Sequence, residues 1–244
     1  ASMSDIEIDI QPGLIRRGNP DVKSFTVINQ HLGAAWYSNR LSANLSIDYR
    51  NEHKPVMAYT SYDGQKFITS YRNQHSFREL RTELSLTIHP WRNHLSITLA
   101  PAISRYYSHG YTYHHLRNIF HLGAALDFTY GNWTLNGNIM TGAANSMYGE
   151  EIISETDMNM ILAGYKKQRW SIQAGVFNAF MKEYSMTSEN MSALTPNRSK
   201  AWCGKNLYGV VKFSINLEFG RNKDMDLPDW QTHETDTGIL SGLK

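Results

Sequence analysis

Apolar and polar residues alternate with a period of two along most of this chain. In LYGVVKFSINLEFG, Leu207, Gly209, Val211, Phe213, Ile215, Leu217 and Phe219 fall on one side, and Tyr208, Val210, Lys212, Ser214, Asn216 and Glu218 on the other. That spacing predicts a strand with one apolar and one polar face, longer than the usual ~5–6 residues. RLSANLSIDYR sets Leu41, Ala43, Leu45, Ile47 and Tyr49 against Ser42, Asn44, Ser46 and Asp48. HLSITLAPAIS sets Leu95, Ile97, Leu99, Pro101 and Ile103 against Ser96, Thr98, Ala100, Ala102 and Ser104. LRTELSLTI, FHLGAALDFTY, WTLNGNIMT and RWSIQAGVFN repeat the pattern.

Nine strands are predicted, near 24–36, 40–52, 76–90, 93–107, 113–129, 132–143, 152–165, 169–181 and 205–219, and SDIEIDI offers a tenth. A buried β-sandwich would alternate in the same way. Two features favour a membrane barrel instead. The polar side is mostly Ser, Thr, Asn, Ala and Gly, which suits a crowded lumen. Connections also alternate: short turns at 37–39, 90–92, 130–131 and 166–168, longer or more polar ones at 53–75, 108–112, 144–151 and 182–204. Short turns on one side and long loops on the other are the habit of outer-membrane barrels. Trp36, Trp91, Tyr130, Trp133 and Trp170 cluster at the short-turn side and are expected to form an interfacial girdle.

Composition narrows the chemistry. Of 244 residues, 19% are charged, against ~25% in an ordinary soluble domain, and the net charge is +2. No Lys/Arg block reads as a nucleic-acid patch. The single cysteine, Cys203, excludes an internal disulfide framework and a Cys-rich metal site. His114 and His115 point to opposite faces of one predicted strand, so no metal site is assigned. No nucleophile elbow, zinc-protease helix motif or P-loop occurs, so no catalytic residue and no cofactor is assigned.

RRGNPDVKSF (16–25) resembles the GNP-N/D-L-K element of Bacteroidetes TonB-dependent receptors of the outer-membrane β-barrel family. In that family it lies in an extracellular loop before a descending strand. AGVFNAF (174–180) resembles the segment before a late loop, LYGVVKFSINLEFG the last strand, and DTGILSGLK the C-terminal ending. The resemblance implies an all-β, antiparallel transmembrane outer-membrane β-barrel. About nine or ten strands lie here, as part of a barrel of about 22 strands. Residues 1–23 then read as an extracellular loop leading into the first strand, 24–220 as transmembrane strands, and 221–244 as a periplasmic tail. The implied function is uptake of a nutrient (glycan, peptide or metal chelate) across the bacterial outer membrane, without covalent chemistry. The implied partners are outer-membrane lipid and lipopolysaccharide, the barrel's N-terminal and plug portion on the same or a companion chain, the TonB system through that portion, and a surface lipoprotein. Two other readings stay open: a free-standing small barrel with a structural or adhesive role, and a soluble β-sandwich carbohydrate-binding module.

Two groups of side chains stand out on this frame. Arg81, Glu83, His121, Asp127, Lys212 and Glu218 are expected to face the lumen, because each charge would be costly in hydrocarbon. The loops at 53–75 and 182–204 supply the ligand candidates Tyr59, Tyr62, Lys66, Tyr71, Arg72, Tyr184, Arg198 and Trp202, since ligand contacts concentrate on loops held by a rigid scaffold.

Overall fold

The computed structural model describes residues 6–142, 145–181, 183–204 and 207–216. It is all-β, with no helix among the described residues. The strands are β1 (Glu7–Gln11), β2 (Leu14–Arg17), β3 (Thr26–Tyr37), β4 (Leu41–His53), β5 (Val56–Tyr62), β6 (Phe67–Asn73), β7 (Ser76–Trp91), β8 (Leu95–His109) and β9 (His114–Tyr130). They continue as β10 (Trp133–Thr141), β11 (Ser146–Tyr148), β12 (Glu151–Glu155), β13 (Met158–Lys167), β14 (Trp170–Phe177), β15 (Tyr184–Asn190), β16 (Asn197–Cys203) and β17 (Tyr208–Ile215).

Nine of them form one antiparallel sheet in the order β3-β4-β7-β8-β9-β10-β13-β14-β17. These correspond to the nine strands of the alternation pattern. Among the described residues the sheet does not close on itself: β3 and β17 are its two edges. Register carries each strand's apolar set onto a single shared face. Leu95 pairs with Phe128, Phe128 with Leu135, Leu135 with Ala163, Ala163 with Ala174 and Ala174 with Val211. A slip of one residue at any pairing would break that row by flipping a whole strand.

The four short turns, β3–β4, β7–β8, β9–β10 and β13–β14, lie at the same end of the sheet. The other end carries what was expected to be loop and is largely folded. Residues 53–75 form the hairpin β5–β6, and 182–204 contain the hairpin β15–β16. Asp63-Gly64 turns the first: Gly64 has φ 99°, and Asp63 Oδ1 accepts the Gln65 and Lys66 amides at 2.9 and 2.8 Å. Those two bonds hold the exposed Asp63 carboxyl below its usual range. The described part of SDIEIDI, from Ile6 on, supplies no tenth strand to the large sheet. Its strand β1 pairs with β2, which runs parallel to β6, giving a separate four-stranded sheet β1-β2-β6-β5. Arg16 and Arg17 are therefore in a strand, and only the Gly-Asn-Pro-Asp stretch after them is a turn. The predicted strand 152–165 divides into β12, which joins β11-β12-β15-β16, and β13, which stays in the large sheet. The connection at 108–112 is a tight turn, with Gly110 N donating to Tyr113 O at 3.0 Å.

The small buried core sits at this folded end. Met57 of β5, Phe77 of β7, Tyr106 of β8 and Met147 of β11 are each at most 5% exposed and pack together. On β8 the same polar-face column contains Ala102, Ser104, Tyr106 and Ser108, all buried, whereas Leu99 and Ile103 on the apolar face are 48% and 47% exposed. The end connections thus fold over the polar face and leave the apolar face bare.

Candidate functional site

The large sheet separates charge by face. On all nine strands the apolar face carries no Asp or Glu. Its Arg and Lys residues are Arg78, Arg105 and Lys167, all near strand ends. The polar face holds Asp48, Arg50, Glu52, Glu79, Arg81, Glu83, Arg117, Asp127, Lys166 and Lys212. Many of these are satisfied locally. Arg81 donates to Glu83 at 2.9 Å, His31 meets Asp48 at 2.7 Å, and Asn136 Nδ2 donates to Asp127 at 2.6 Å. Thr87 and Thr98 bond across strands at 2.9 Å.

Arg81, Glu83, His121, Asp127 and Lys212 all lie on this polar face; Glu218 lies outside the described residues. His121 differs from the others in being buried, at 5% exposure. Its Nδ1 bonds Gly142 O, and because a carbonyl only accepts, the Nδ1 carries the proton. Gly142, just after β10, has φ 63°, and an added Cβ there would sit 2.7 Å from Phe120 O. His121 is therefore a fixed strut at the folded end.

The aromatic residues at the short-turn end form a belt. Trp91 lies 5.6 Å from Tyr130, Trp133 4.9 Å from Tyr165, Tyr165 5.6 Å from Trp170, and Trp170 6.4 Å from Phe213, between ring centroids. Trp36 lies on the same face, across from Ala43, and is 56% exposed.

At the other end the two small sheets flank a cleft of about 940 Å³. The β1-β2-β6-β5 sheet buries Ile15, Met57 and Ser70 on its inner side. Its opposite side presents Arg16, Thr60, Tyr62, Phe67, Thr69 and Tyr71 to the cleft. Glu150, Glu151, Ser188, Asn190, Asn197 and Ser199 line the facing wall. Thr195 Oγ1 donates to Thr60 Oγ1 at 3.4 Å and links the walls. Burial raises the Glu150 carboxyl above its usual range, and burial lowers the neighbouring His115, 3.7 Å away. Both shifts favour neutral forms, so this close contact is a weak ion pair.

The eight loop candidates divide accordingly. Tyr59, Tyr62 and Tyr71 line the cleft. Arg72 does not: its guanidinium is stacked between Tyr59 at 4.3 Å and Tyr111 at 4.5 Å. Lys66 reaches Asp9 at 4.0 Å. Arg198 points to the side of β16 away from the cleft, between the lining residues Asn197 and Ser199, while Tyr184 and the exposed Trp202 lie towards the far end of the β15–β16 hairpin. The lining residues Arg16, Phe67, Glu150, Asn190 and Asn197 escaped the sequence reading. The Asp63-Gly64 dipeptide was the available signal for the hairpin that presents Phe67.

A buried carboxylate ties the cap to the large sheet. Glu52 is fully buried, ion-paired with Arg50, and accepts Tyr148 Oη–H at 2.8 Å. Burial, then that bond and the Glu52 charge, push the Tyr148 phenol up. Tyr148→Phe leaves a buried carboxylate oxygen without its donor and is expected to cost about 1–3 kcal/mol in denaturant unfolding. The phenol's contribution is full below the unfolded value near ~10 and is lost as pH rises beyond it. The stability gap between wild type and Tyr148→Phe should therefore narrow only in alkali. A gap already absent at neutral pH would show that the bond contributes nothing.

No protein-family model matches the chain, and neither a curated protein nor a solved structure is similar enough to it to carry an argument.

Proposed function

We propose that the nine-stranded sheet is a stretch of the wall of a bacterial outer-membrane barrel, and that this chain supplies wall and extracellular cap to a TonB-dependent receptor that takes up a nutrient. The observation that carries the reading is the charge segregation. A soluble protein gains nothing by keeping every carboxylate off an uncovered apolar face, whereas in hydrocarbon a mid-depth cation costs ~2–4 kcal/mol. The dimensions agree. From Leu95 to Ile103 the apolar column of β8 spans roughly 26 Å at about 3.3 Å per residue. With a tilt near ~40° it covers about 20 Å of depth, most of the ~25 Å apolar band of such barrels. The Trp/Tyr belt then lies at the periplasmic interface.

In this reading the polar face is lumen wall, and Arg81, Glu83, Asp127 and Lys212 face a plug or the substrate path. The cleft lined by Tyr62 and Tyr71 opens among the extracellular connections. The open edges of β3 and β17 call for partner strands, because an unpaired edge cannot stand in lipid. The missing strands, plug and TonB contact come from the resemblance to Bacteroidetes receptors, which also leaves the nutrient as a glycan, peptide or metal chelate. A soluble sandwich module is disfavoured by the bare face: Leu99, Ile103, Phe120 and Phe213 are 47–63% exposed where a sandwich would cover them.

The test is gel migration of the native membrane protein, boiled and unboiled, in detergent. A receptor predicts a heavier species or a companion that separates only on heating. A lone species of 27.9 kDa that shifts on boiling means a complete small barrel, and recovery without detergent ends the membrane reading. For the cleft, Tyr62→Ala with Tyr71→Ala should lower uptake at limiting nutrient about tenfold, the loss of ~1.5 kcal/mol of aromatic contact. Unchanged uptake with normal heat-shifted migration would remove the cleft from the transport path.

A further inference from the structure

We infer that Arg78 and Arg105, on the apolar face of β7 and β8 just above the apolar band, seat the phosphate of an anionic lipid headgroup in the leaflet on the cap side. This rests on the membrane reading above and names a lipid site that the reading does not require. Arg105 pairs across strands with Leu80 and Asn118, one step beyond Ile103 and Phe120, which are 47% and 60% exposed. Arg78 pairs with Tyr107 and Asn51, one step further, and its guanidinium lies 5.5 Å over the Tyr107 ring. The two arginines are thus diagonal neighbours on one face, at a backbone separation of about 7–8 Å. That spacing lets two guanidinium forks converge on the oxygens of one phosphate.

Three contrasts mark the pair. First, on the polar face Arg50 and Arg81 are each ion-paired to a glutamate on their own strand, and Arg117 reaches Met191 Sδ of the cap at 3.9 Å. Among the described residues Arg78 and Arg105 have no ion pair, and their whole face of the sheet carries no carboxylate that could supply one. Second, both are exposed, although the cap has folded over the other face at the same height and buried Phe77, Ser104 and Tyr106 there. Nothing among the described residues covers the arginines. Third, His109 and His114 lie beside them, with ring centroids 5.6 Å apart and Tyr107 4.7 Å from His114. They add hydrogen-bond donors at headgroup height. Unpaired cations fixed over an apolar band fit a ligand with an anionic head and acyl chains; a free anion has no use for the band.

The chain as isolated from its membrane, with any companion, is exchanged into phosphatidylcholine nanodiscs containing equal mole fractions of phosphatidic acid and diacylglycerol of the same acyl chains. Lipid retained after return to detergent is counted by native mass spectrometry. Phosphatidic acid should be retained at least about tenfold over diacylglycerol, since each surface cation favours anionic lipid appreciably. Arg78→Gln with Arg105→Gln should abolish the preference, Arg78→Lys with Arg105→Lys should keep part of it, and Lys212→Gln on the polar face should leave it intact. Equal retention of the two lipids by the wild-type protein overturns the inference, whether or not the Gln variant folds. So does an unchanged preference in a folded Gln variant, or displacement of the retained lipid by millimolar inorganic phosphate, which would mean a soluble-anion site. Quenching of the belt tryptophans by brominated phosphatidylcholine separates the two failures. If there is no quenching, the membrane reading itself has fallen; if there is quenching with no lipid preference, only this site has.

Discussion

Leu99→Arg should destabilise the protein by about 2–4 kcal/mol in a bilayer while leaving an aqueous or detergent-exposed form almost unaffected. Leu99 is 48% exposed and pairs with Leu86 and Ala124 in the middle of the apolar face. In water, exchanging a half-exposed leucine for arginine removes an unfavourable contact with solvent and falls within the usual ~0.5 kcal/mol of surface changes. In hydrocarbon the same exchange strands a cation at mid-depth. The natural control is Ser85→Arg, on the polar face opposite Asn44, where a lumen accommodates a charge at little cost. Urea unfolding from vesicles, followed by the heat-shifted band, reads both variants. The membrane reading requires Leu99→Arg to be far worse than Ser85→Arg. Equal effects, or a stabilised Leu99→Arg, would mean that the apolar face meets water or another protein surface.

Phe77→Ala should cost about 3–5 kcal/mol, the usual range for emptying a buried aromatic site, with the damage confined to the cap. Phe77 is 2% exposed, with its ring 4.7 Å from Tyr148 and 6.3 Å from Tyr106. It joins the large sheet to Met57 of the β5–β6 hairpin and Met147 of β11. The rest of the large sheet has no comparable buried cluster among the described residues, so on the proposed membrane reading its order depends on ladder hydrogen bonds and lipid contact. Limited proteolysis of the reconstituted protein should therefore cut within 54–75 much faster in the variant, while belt tryptophan fluorescence stays unchanged. Simultaneous loss of both signals would show that cap and wall unfold as one unit. Unchanged cleavage would show that this cluster does not hold the cap.

How much of this was legible from the residues follows from what period-two patterning encodes. Alternation located the nine strands of the large sheet and assigned each strand's two faces, because a lipid- or core-facing side must be continuously apolar. It failed where a strand's faces are less distinct. VMAYTSY and FITSYRN mix apolar and polar residues on both sides, since one side packs on a small core and the other lines an open cleft; they read as loop. IEIDI alternates cleanly, with Ile6, Ile8 and Ile10 all exposed, but period alone does not say which sheet a strand joins. Residues 152–165 read as one strand because Glu155 and Met158 flank only a two-residue break. The candidate site suffered most: Tyr62 and Tyr71 face the cleft, Arg72 stacks on the opposite side of the same strand as Tyr71, and Arg16 and Glu150 arrive from distant segments.

The sequence by itself determined the strands of the large sheet, the apolar and polar side of each, and the end at which the aromatic belt gathers, because those are local consequences of side-chain direction along an extended backbone. Tertiary structure decided the rest. Only long-range pairing shows that the apolar sides share one carboxylate-free face, that the supposed loops are two small sheets folded over the polar face, and that β1 belongs to the cap. Only that packing brings Arg78 and Arg105 side by side above the apolar band, since β7 and β8 bring them together from 27 residues apart along the chain.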